Sequence, residues 1–364
     1  MKIGVRGSGG AGGWPQPGCR CASCLRAADG PPRGPFRVLV DDVLELTAAG
    51  VAGSGLAGSG GPGYQVRPLA GGWDVTAPDG RRLLAAAGAG ARPEVPPGTA
   101  RYDAALLDLL GDPAQLGLLR RIGAVTGSTL VLAMCADHRV RSERELARQC
   151  ATWGAVLPHD GDTFTVPGSG GPGAPGRGPA GQRPWRVLVL GGAGSGKSAE
   201  AELRLAAEPS VTYVATGQPP GPGDAEWAAR VAAHRERRPS WWRTVETGTR
   251  AAGLAPELAS APGAVLVDSV TTWLAAAMDE CGAWDGSAAA ADRLAGLIAE
   301  VVDAWRQARG YVVAVSDEVG LGVVPETRAG RMFRDELGRL NQRLATDADD
   351  FTMMMAGRPL VTAD

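Results

Sequence analysis

Residues 186–205 read RVLVLGGAGSGKSAEAELRL, an apolar run, then a glycine-rich turn, then strong helix formers. The turn, Gly191–Ser198, has the G-x-x-x-x-G-K-[ST] spacing of a phosphate-binding P-loop. Its glycines let consecutive backbone N–H groups converge on phosphate oxygens, and the helix that follows adds its dipole. We expect Lys197 to reach the β- and γ-phosphates and Ser198 to hold Mg²⁺. A structural glycine-rich turn is the alternative, because the chain contains 54 glycines.

Downstream of this turn, short β-rich runs alternate with helical stretches. Apolar residues recur at helical spacing from Leu294 to Trp305 and from Met332 to Leu344. This alternation predicts an α/β domain with a mostly parallel sheet that is covered on both faces. The predicted strands are Arg186–Leu190, Val211–Ala215, Trp242–Glu246, Ala264–Asp268, Tyr311–Ser316 and Phe351–Ala356, with less regular runs upstream at Val38–Val40, Trp73–Ala77 and Leu130–Ala133.

Length and composition favour two domains and a cytoplasmic enzyme. The chain has 364 residues and a net charge of −2, so it has no general basic field for nucleic acid. No apolar run approaches a membrane span, and residues 1–8 lack the apolar core of a signal peptide. Residues 167–184, PGSGGPGAPGRGPAGQRP, read as a Gly/Pro-rich linker between domains at 1–166 and 185–364. The glycine-rich stretch Gly50–Gly63 predicts a loop.

Asp268 ends the apolar run Val265–Asp268. In P-loop enzymes a carboxylate at such a strand end holds Mg²⁺, directly or through water. The alternative is an aspartate that opens the turn before the next helix. We favour metal or nucleotide contact because the P-loop is present.

His234 is one of three histidines in the chain. It lies in a predicted helix that Asp224 can cap and Pro239 ends. Trp227, Val231 and His234 fall on one face of that helix, so a packed histidine on a buried stripe is a serious alternative to a functional one. The neighbouring arginines, which would suit phosphates beside the imidazole, favour function.

Six motifs in the predicted domain at 185–364 resemble the CobU family of bifunctional adenosylcobinamide kinase/adenosylcobinamide-phosphate guanylyltransferases. In chain order they are GGAGSGKS at 191–198, YVAT at 213–216, RVAAHRERRPSWWRTVE at 230–246, VLVDSVTTWL at 265–274, SDEVGLGVVPE at 316–326 and RMFRDELGRLNQ at 331–342. The resemblance covers essentially all of Trp185–Asp364. Two departures are Asp317, where the family usually has asparagine, and a longer loop at Gln218–Gly223.

The resemblance implies a RecA-like P-loop fold, a homotrimer, ATP and GTP as substrates, and Mg²⁺. The family phosphorylates the aminopropanol hydroxyl of adenosylcobinamide and then transfers GMP from GTP to that phosphate through a guanylyl-histidine. His234 maps to this histidine and, with Lys197, is the predicted catalytic pair. Nucleotide contacts map to Gly191, Gly192, Ala193, Gly194, Ser195, Gly196, Lys197, Ser198, Ala215, Thr216, Gly217, Arg235, Glu236, Arg237, Arg238, Glu246 and Asp268, with Mg²⁺ at Ser198 and Asp268. Two alternatives stay open: guanylyl transfer without the kinase, and a nucleotide-dependent regulatory protein with a decayed hydrolase domain.

The first half carries a cysteine cluster, Cys19-x-Cys21-x-x-Cys24, whose spacing suggests metal ligands. Residues 7–24 and 157–162 resemble the two ends of a metallo-β-lactamase-fold hydrolase of the phosphodiesterase branch. No H-x-H-x-D-H motif occurs, however, so a dinuclear catalytic site cannot be assembled. We therefore predict a degenerate, non-catalytic α/β domain. By the resemblance, the cysteines and His138 would form a structural Zn²⁺ site; three incidental thiols are the alternative.

Overall fold

The computed structural model describes residues 1–54, 63–166, 184–219, 221, 223–248 and 250–360. The chain divides into two compact units, Met1–Gly181 with Ala206–Pro209, and Gln182–Leu205 with Ser210–Asp364. Except for Pro184, the linker predicted at 167–184 lies outside the described residues. The predicted domain bounds therefore stay a prediction.

The described part of the first unit contains two five-stranded sheets. Its elements are β1 (Lys2–Gly7), α1 (Ala22–Ala27), β2 (Arg37–Val40), β3 (Leu44–Thr47), β4 (Gly50–Gly53), β5 (Gln65–Leu69), β6 (Gly72–Thr76), β7 (Arg82–Ala86), β8 (Ala104–Leu107), α2 (Ala114–Arg121), β9 (Leu130–Ala133), α3 (Glu143–Thr152) and β10 (Thr163–Thr165). One sheet, in the order β10-β1-β2-β3-β4, is antiparallel. The other, β5-β6-β7-β8-β9, is antiparallel from β5 to β7 and parallel from β7 to β9.

Apolar side chains from both sheets form one core, so the sheets pack face to face. Val38 and Leu46 from the first sheet share this core with Leu83 and Leu106 from the second, and all four are fully buried.

The loop predicted at Gly50–Gly63 differs from the structure in its first residues. Its first four residues form β4, which pairs with β3, because backbone hydrogen bonds form a ladder whether or not the residues carry side chains. Residues 55–62 lie outside the described residues.

The described part of the second unit contains one seven-stranded sheet. Its elements are β11 (Trp185–Gly191), α4 (Lys197–Leu205), β12 (Val211–Ala215), α5 (Ala225–Glu236), β13 (Arg243–Glu246), α6 (Leu254–Ser260), β14 (Ala264–Asp268), α7 (Val270–Cys281), α8 (Ala288–Gln307), β15 (Tyr311–Asp317), α9 (Arg328–Thr346), β16 (Asp350–Met355) and β17 (Arg358–Leu360). The order is β13-β12-β14-β15-β11-β16-β17, and every pairing is parallel except that of β16 with β17. The six strands predicted here are confirmed to within one residue at each end.

Alternate residues of β11 enter opposite cores, as the two-residue period of a strand requires. Leu188 and Leu190 pack with α6 to α9, whereas Val187 and Val189 pack on the α4 side. The predicted helical stripes lie on α8 and α9. Because both faces of the sheet are covered, its strands are nearly continuous apolar runs. Among the described residues, we find no helix with the length and apolar character that crossing a bilayer demands.

Candidate functional site

The glycine-rich turn connects β11 to α4 at the carboxyl end of the sheet. Gly194 (φ 68°) and Gly196 (φ 94°) adopt left-handed backbone conformations that favour glycine. At Gly191 a Cβ atom would lie 2.4 Å from Ser195 Oγ and 2.7 Å from the Met354 carbonyl oxygen. Glycine is therefore required at these positions of the turn for steric reasons.

Lys197, at the start of α4, is held beside this turn. Its Nζ lies 2.7 Å from Asp317 Oδ1 and donates a hydrogen bond of 3.2 Å to the Gly192 carbonyl. Asp317 ends β15, next to β11 in the sheet. Here the departure from the family's asparagine introduces a carboxylate that pairs with the lysine.

Ser198 and Asp268 meet across the same end of the sheet. Ser198 Oγ donates a 3.3 Å hydrogen bond to Asp268 Oδ1, and the Tyr213 hydroxyl donates one of 2.6 Å to Oδ2. Burial raises the pKa of Tyr213, so its hydroxyl stays a neutral donor. A hydroxyl and a carboxylate oxygen at this separation are the hard ligands that Mg²⁺ prefers, so the two residues fit that ion.

His234 lies near two carboxylates. Its Nδ1 is 3.7 Å from Asp268 Oδ2 and 3.8 Å from Glu202 Oε1. The His234 side chain is 22% exposed and, together with Val231, Lys197 and Ser198, lines a cavity, so it is not enclosed in a buried stripe. The side chain of Trp227, the third residue of the predicted face, is not described. Burial raises the pKa of Glu202, and the nearby Arg237 opposes this.

The residues after His234 point in different directions. The Arg238 guanidinium lies over the Tyr213 ring, 3.7 Å from its centroid, and Arg235 pairs with Glu246. Arg237 instead donates to Glu202 at 2.9 Å and 3.3 Å. Glu236 is exposed at the end of α5. The predicted nucleotide contacts at 235–238 are therefore not one surface, since Arg235 and Arg238 line the cavity and Arg237 does not.

The cavity that His234, Arg235 and Arg238 line has a volume of about 250 Å³. The predicted residues that line it are Lys197, Ser198, Ala215, Gly217, His234, Arg235, Arg238, Glu246 and Asp268. Thr216 is buried, and its hydroxyl donates to the Ser269 carbonyl at 2.6 Å. Sequence reasoning did not single out Tyr213 or Glu202 as site residues. The available signals were a tyrosine hydroxyl in a buried strand, which needs a hydrogen-bond partner, and a carboxylate on a helix that packs on the sheet.

In the first unit, the structure brings together the four predicted metal ligands. His138 Nδ1 lies 3.7 Å from Cys19 Sγ and 3.9 Å from Cys24 Sγ, and the ligand atoms of Cys19, Cys21, Cys24 and His138 all lie within 4.8 Å of one another. Cys21 caps α1, and its sulfur accepts a hydrogen bond from the Cys24 amide, which lowers the pKa of the Cys21 thiol. Tetrahedral zinc with sulfur at about 2.3 Å needs ligands about 3.8 Å apart, so the cluster fits the ion.

Comparison with known proteins assigns the second unit. Residues 187–362 match the family model described as cobinamide kinase / cobinamide phosphate guanyltransferase. The bifunctional adenosylcobalamin biosynthesis protein CobU of Salmonella typhimurium is 39% identical over 47% of this chain and 96% of its own length. CobP of Pseudomonas aeruginosa is 39% identical over 48% and 95%, and CobU of Escherichia coli is 37% identical over 47% and 96%.

Among solved structures, a prototypical ATPase from the type III secretion system of pathogenic bacteria is 13% identical, with a TM-score of 0.31 over 46% of this chain and 50% of that one. That likeness is too slight to add to the fold. The family match and the three relatives, each covered almost completely, are decisive for the second unit. Through this unit the chain belongs to the cobinamide kinase / cobinamide phosphate guanyltransferase family, the bifunctional kinases and guanylyltransferases of cobalamin biosynthesis.

Proposed function

We propose that both reactions use the cavity described above in the second unit, which we take as RecA-like, and that His234 is the nucleophile of the second reaction. The observation that carries the proposal is the placement of His234 in the cavity that Lys197 and Asp268 also line. One triphosphate site then serves two reactions at different phosphorus atoms.

In the first reaction the aminopropanol hydroxyl of adenosylcobinamide attacks the γ-phosphorus of ATP or GTP. The new O–P bond forms as the bond to the β-phosphate oxygen breaks, and the hydroxyl proton is released to solvent. The P-loop amides and Lys197 hold the phosphates and stabilise the charge that develops on them. Bound at Ser198 and Asp268, Mg²⁺ would neutralise phosphate charge.

In the second reaction Nε2 of His234 attacks the α-phosphorus of GTP, and pyrophosphate leaves. A phosphate oxygen of adenosylcobinamide phosphate then attacks the same phosphorus, and the N–P bond breaks to give adenosylcobinamide-GDP. A neutral imidazole is a competent nucleophile near pH 7. Arg235 and Arg238, which also line the cavity, would bind phosphate oxygens.

The rest of the nucleotide site belongs to this proposal. Ala215–Gly217 and Glu246 lie at the carboxyl ends of β12 and β13, where they would contact base or ribose. Thr216 would act through the backbone, since its hydroxyl is already bonded inside the protein. By the resemblance, the functional enzyme would be a cytoplasmic homotrimer.

For the first unit we propose a zinc-stabilised domain of metallo-β-lactamase-like fold without hydrolase activity. Two face-to-face sheets and a Cys₃His cluster that fits zinc support this reading. The chain has three histidines, too few and too scattered for the dinuclear motif.

The experiment that tests the proposal gives the purified protein adenosylcobinamide and one nucleotide at a time, and follows the products by mass. We expect adenosylcobinamide phosphate with ATP or GTP, and adenosylcobinamide-GDP only when GTP is present. If the protein converted only adenosylcobinamide phosphate that was supplied to it, the guanylyltransferase activity would be supported and the kinase activity contradicted. No product with any nucleotide would contradict both activities.

A further inference from the structure

We infer that Glu202 is the positioning residue of the guanylyl transfer: its carboxylate holds the proton on Nδ1 of His234, so that Nε2 is the unprotonated, attacking nitrogen. The inference rests on the proposed role of His234. None of the sequence motifs that assigned the site includes this glutamate.

Glu202 is placed by the P-loop helix itself. It lies on α4, five residues after Lys197, and is 7% exposed. Arg237 holds its carboxylate with two hydrogen bonds, Nε to Oε2 at 2.9 Å and Nη2 to Oε1 at 3.3 Å. Oε1 is also the atom that lies 3.8 Å from His234 Nδ1. The carboxylate is therefore fixed relative to the phosphate site and lies beside the ring nitrogen of a histidine on another helix.

Asp268 is the competing partner, since its Oδ2 lies 3.7 Å from the same nitrogen. Both oxygens of Asp268 already accept hydrogen bonds, from the Tyr213 hydroxyl at 2.6 Å and from the Ser198 hydroxyl at 3.3 Å. Asp268 also fits Mg²⁺ together with Ser198, so its carboxylate has other roles. In the part of the chain that the structure describes, the Glu202 oxygens accept hydrogen bonds only from Arg237, and a carboxylate has lone pairs left after a bidentate contact. Hydrogen bonds between catalytic groups are commonly long before the reacting complex forms and shorten in that complex.

The chemistry needs such a group. When Nε2 bonds to the α-phosphorus and pyrophosphate leaves, the ring keeps its Nδ1 proton and becomes a cation. A carboxylate beside Nδ1 fixes the tautomer beforehand and stabilises this cation, as the aspartate of a Ser-His-Asp triad does. In the second step the electron pair of the N–P bond returns to Nε2, and the Nδ1 proton never leaves.

The test combines Glu202→Gln with ¹⁵N-histidine NMR. Only three histidines contribute signals, and the signal that disappears in His234→Asn is that of His234. In the wild type we expect His234 to carry its proton on Nδ1, and in Glu202→Gln we expect the proton to move towards Nε2. Covalent labelling by α-labelled GTP should slow by about 10²- to 10⁴-fold, since replacing the aspartate of a Ser-His-Asp triad by asparagine costs about 10⁴-fold. Kinase activity should stay within about twofold, because that step uses no histidine nucleophile.

Glu200→Gln is the matched control, a second buried glutamate of α4 that pairs instead with Arg204 at 3.1 Å. It should leave the labelling rate and the His234 tautomer unchanged. Glu202→Asp keeps the charge and should recover part of the rate. If the wild type took up no label, the proposed role of His234 as nucleophile would be wrong, and with it the role of Glu202. A labelled wild type whose Glu202→Gln variant labels equally fast would overturn the role of Glu202, as would equal loss of kinase and transfer.

Discussion

Lys197 lines the cavity that we propose for the nucleotide, and its charge is already paired there. In the structure its amine is paired with Asp317 and with a carbonyl of the glycine-rich turn. A triphosphate brings more negative charge than one carboxylate and competes for the same amine. The charge of Lys197 would then be available to the phosphate oxygens in both reactions.

Lys197→Ala is therefore expected to lose both activities while the fold survives. Removing a charge placed where negative charge develops costs about 10²- to 10³-fold in rate. Kinase and guanylyl transfer are measured separately on the same preparation, with thermal unfolding as the control for folding. Near-normal transfer of either group would mean that the two reactions do not share this P-loop.

Asp317→Asn replaces the carboxylate by the residue usual in the family. It removes the ion pair with Lys197 and a negative charge that faces an incoming anion, so the nucleotide should bind more tightly. A partly exposed pair of this kind is worth up to about 1 kcal/mol, so the Kd for ATP should fall by roughly 3- to 5-fold. Titration calorimetry measures it, and a weaker or unchanged Kd would show that the pair does not oppose binding.

At the scale of elements, the second unit was predictable because its strands are buried on both faces. Val187–Leu190 is a continuous apolar run for that reason, and the strand bounds follow from it. The first unit was harder. Several of its strands have four residues, such as β3 and β4, and two glycines in β4 imitate a loop. A period of two cannot be recognised over so short a span.

The candidate site shows the same limit. The P-loop is local in sequence, so its glycines, Lys197 and Ser198 could be predicted from spacing alone. The approach of His234 to Glu202 and Asp268 joins three elements separated by loops, and only the folded sheet determines it. Arg237 was predicted to contact the nucleotide with its neighbours, but its side chain turns to Glu202.

Helix α9 gives a test of the packing. Leu337 is fully buried in the core between the sheet and helices α6 to α9, and Leu337→Ala should lower the free energy of unfolding by about 2–5 kcal/mol through lost contacts and a cavity. Leu321→Ala is the control, because that side chain is 75% exposed and should change the value by less than about 0.5 kcal/mol. Urea denaturation measures both. Equal values for the two variants would contradict the described core.

At the scale of the whole molecule, the two units are assigned different tasks. The first should bind one zinc ion per chain and hydrolyse no phosphodiester, because it has one Cys₃His cluster in its described part and the sequence has no H-x-H-x-D-H motif. Metal analysis should show one zinc in the wild type and a loss in Cys21→Ser, with His159→Ala as the control. Two metals per chain, or metal-dependent hydrolysis of a generic phosphodiester, would refute this.

The second unit carries the central claim, that His234 forms a covalent bond to GMP. Incubation with α-labelled GTP and Mg²⁺ should label the wild type through a phosphoramidate, labile to acid and stable to base, because an N–P bond hydrolyses once its nitrogen is protonated. Folded His234→Asn should show no label and no adenosylcobinamide-GDP, yet keep measurable kinase activity. Persistent labelling of that variant would contradict the account and place the nucleophile at another residue.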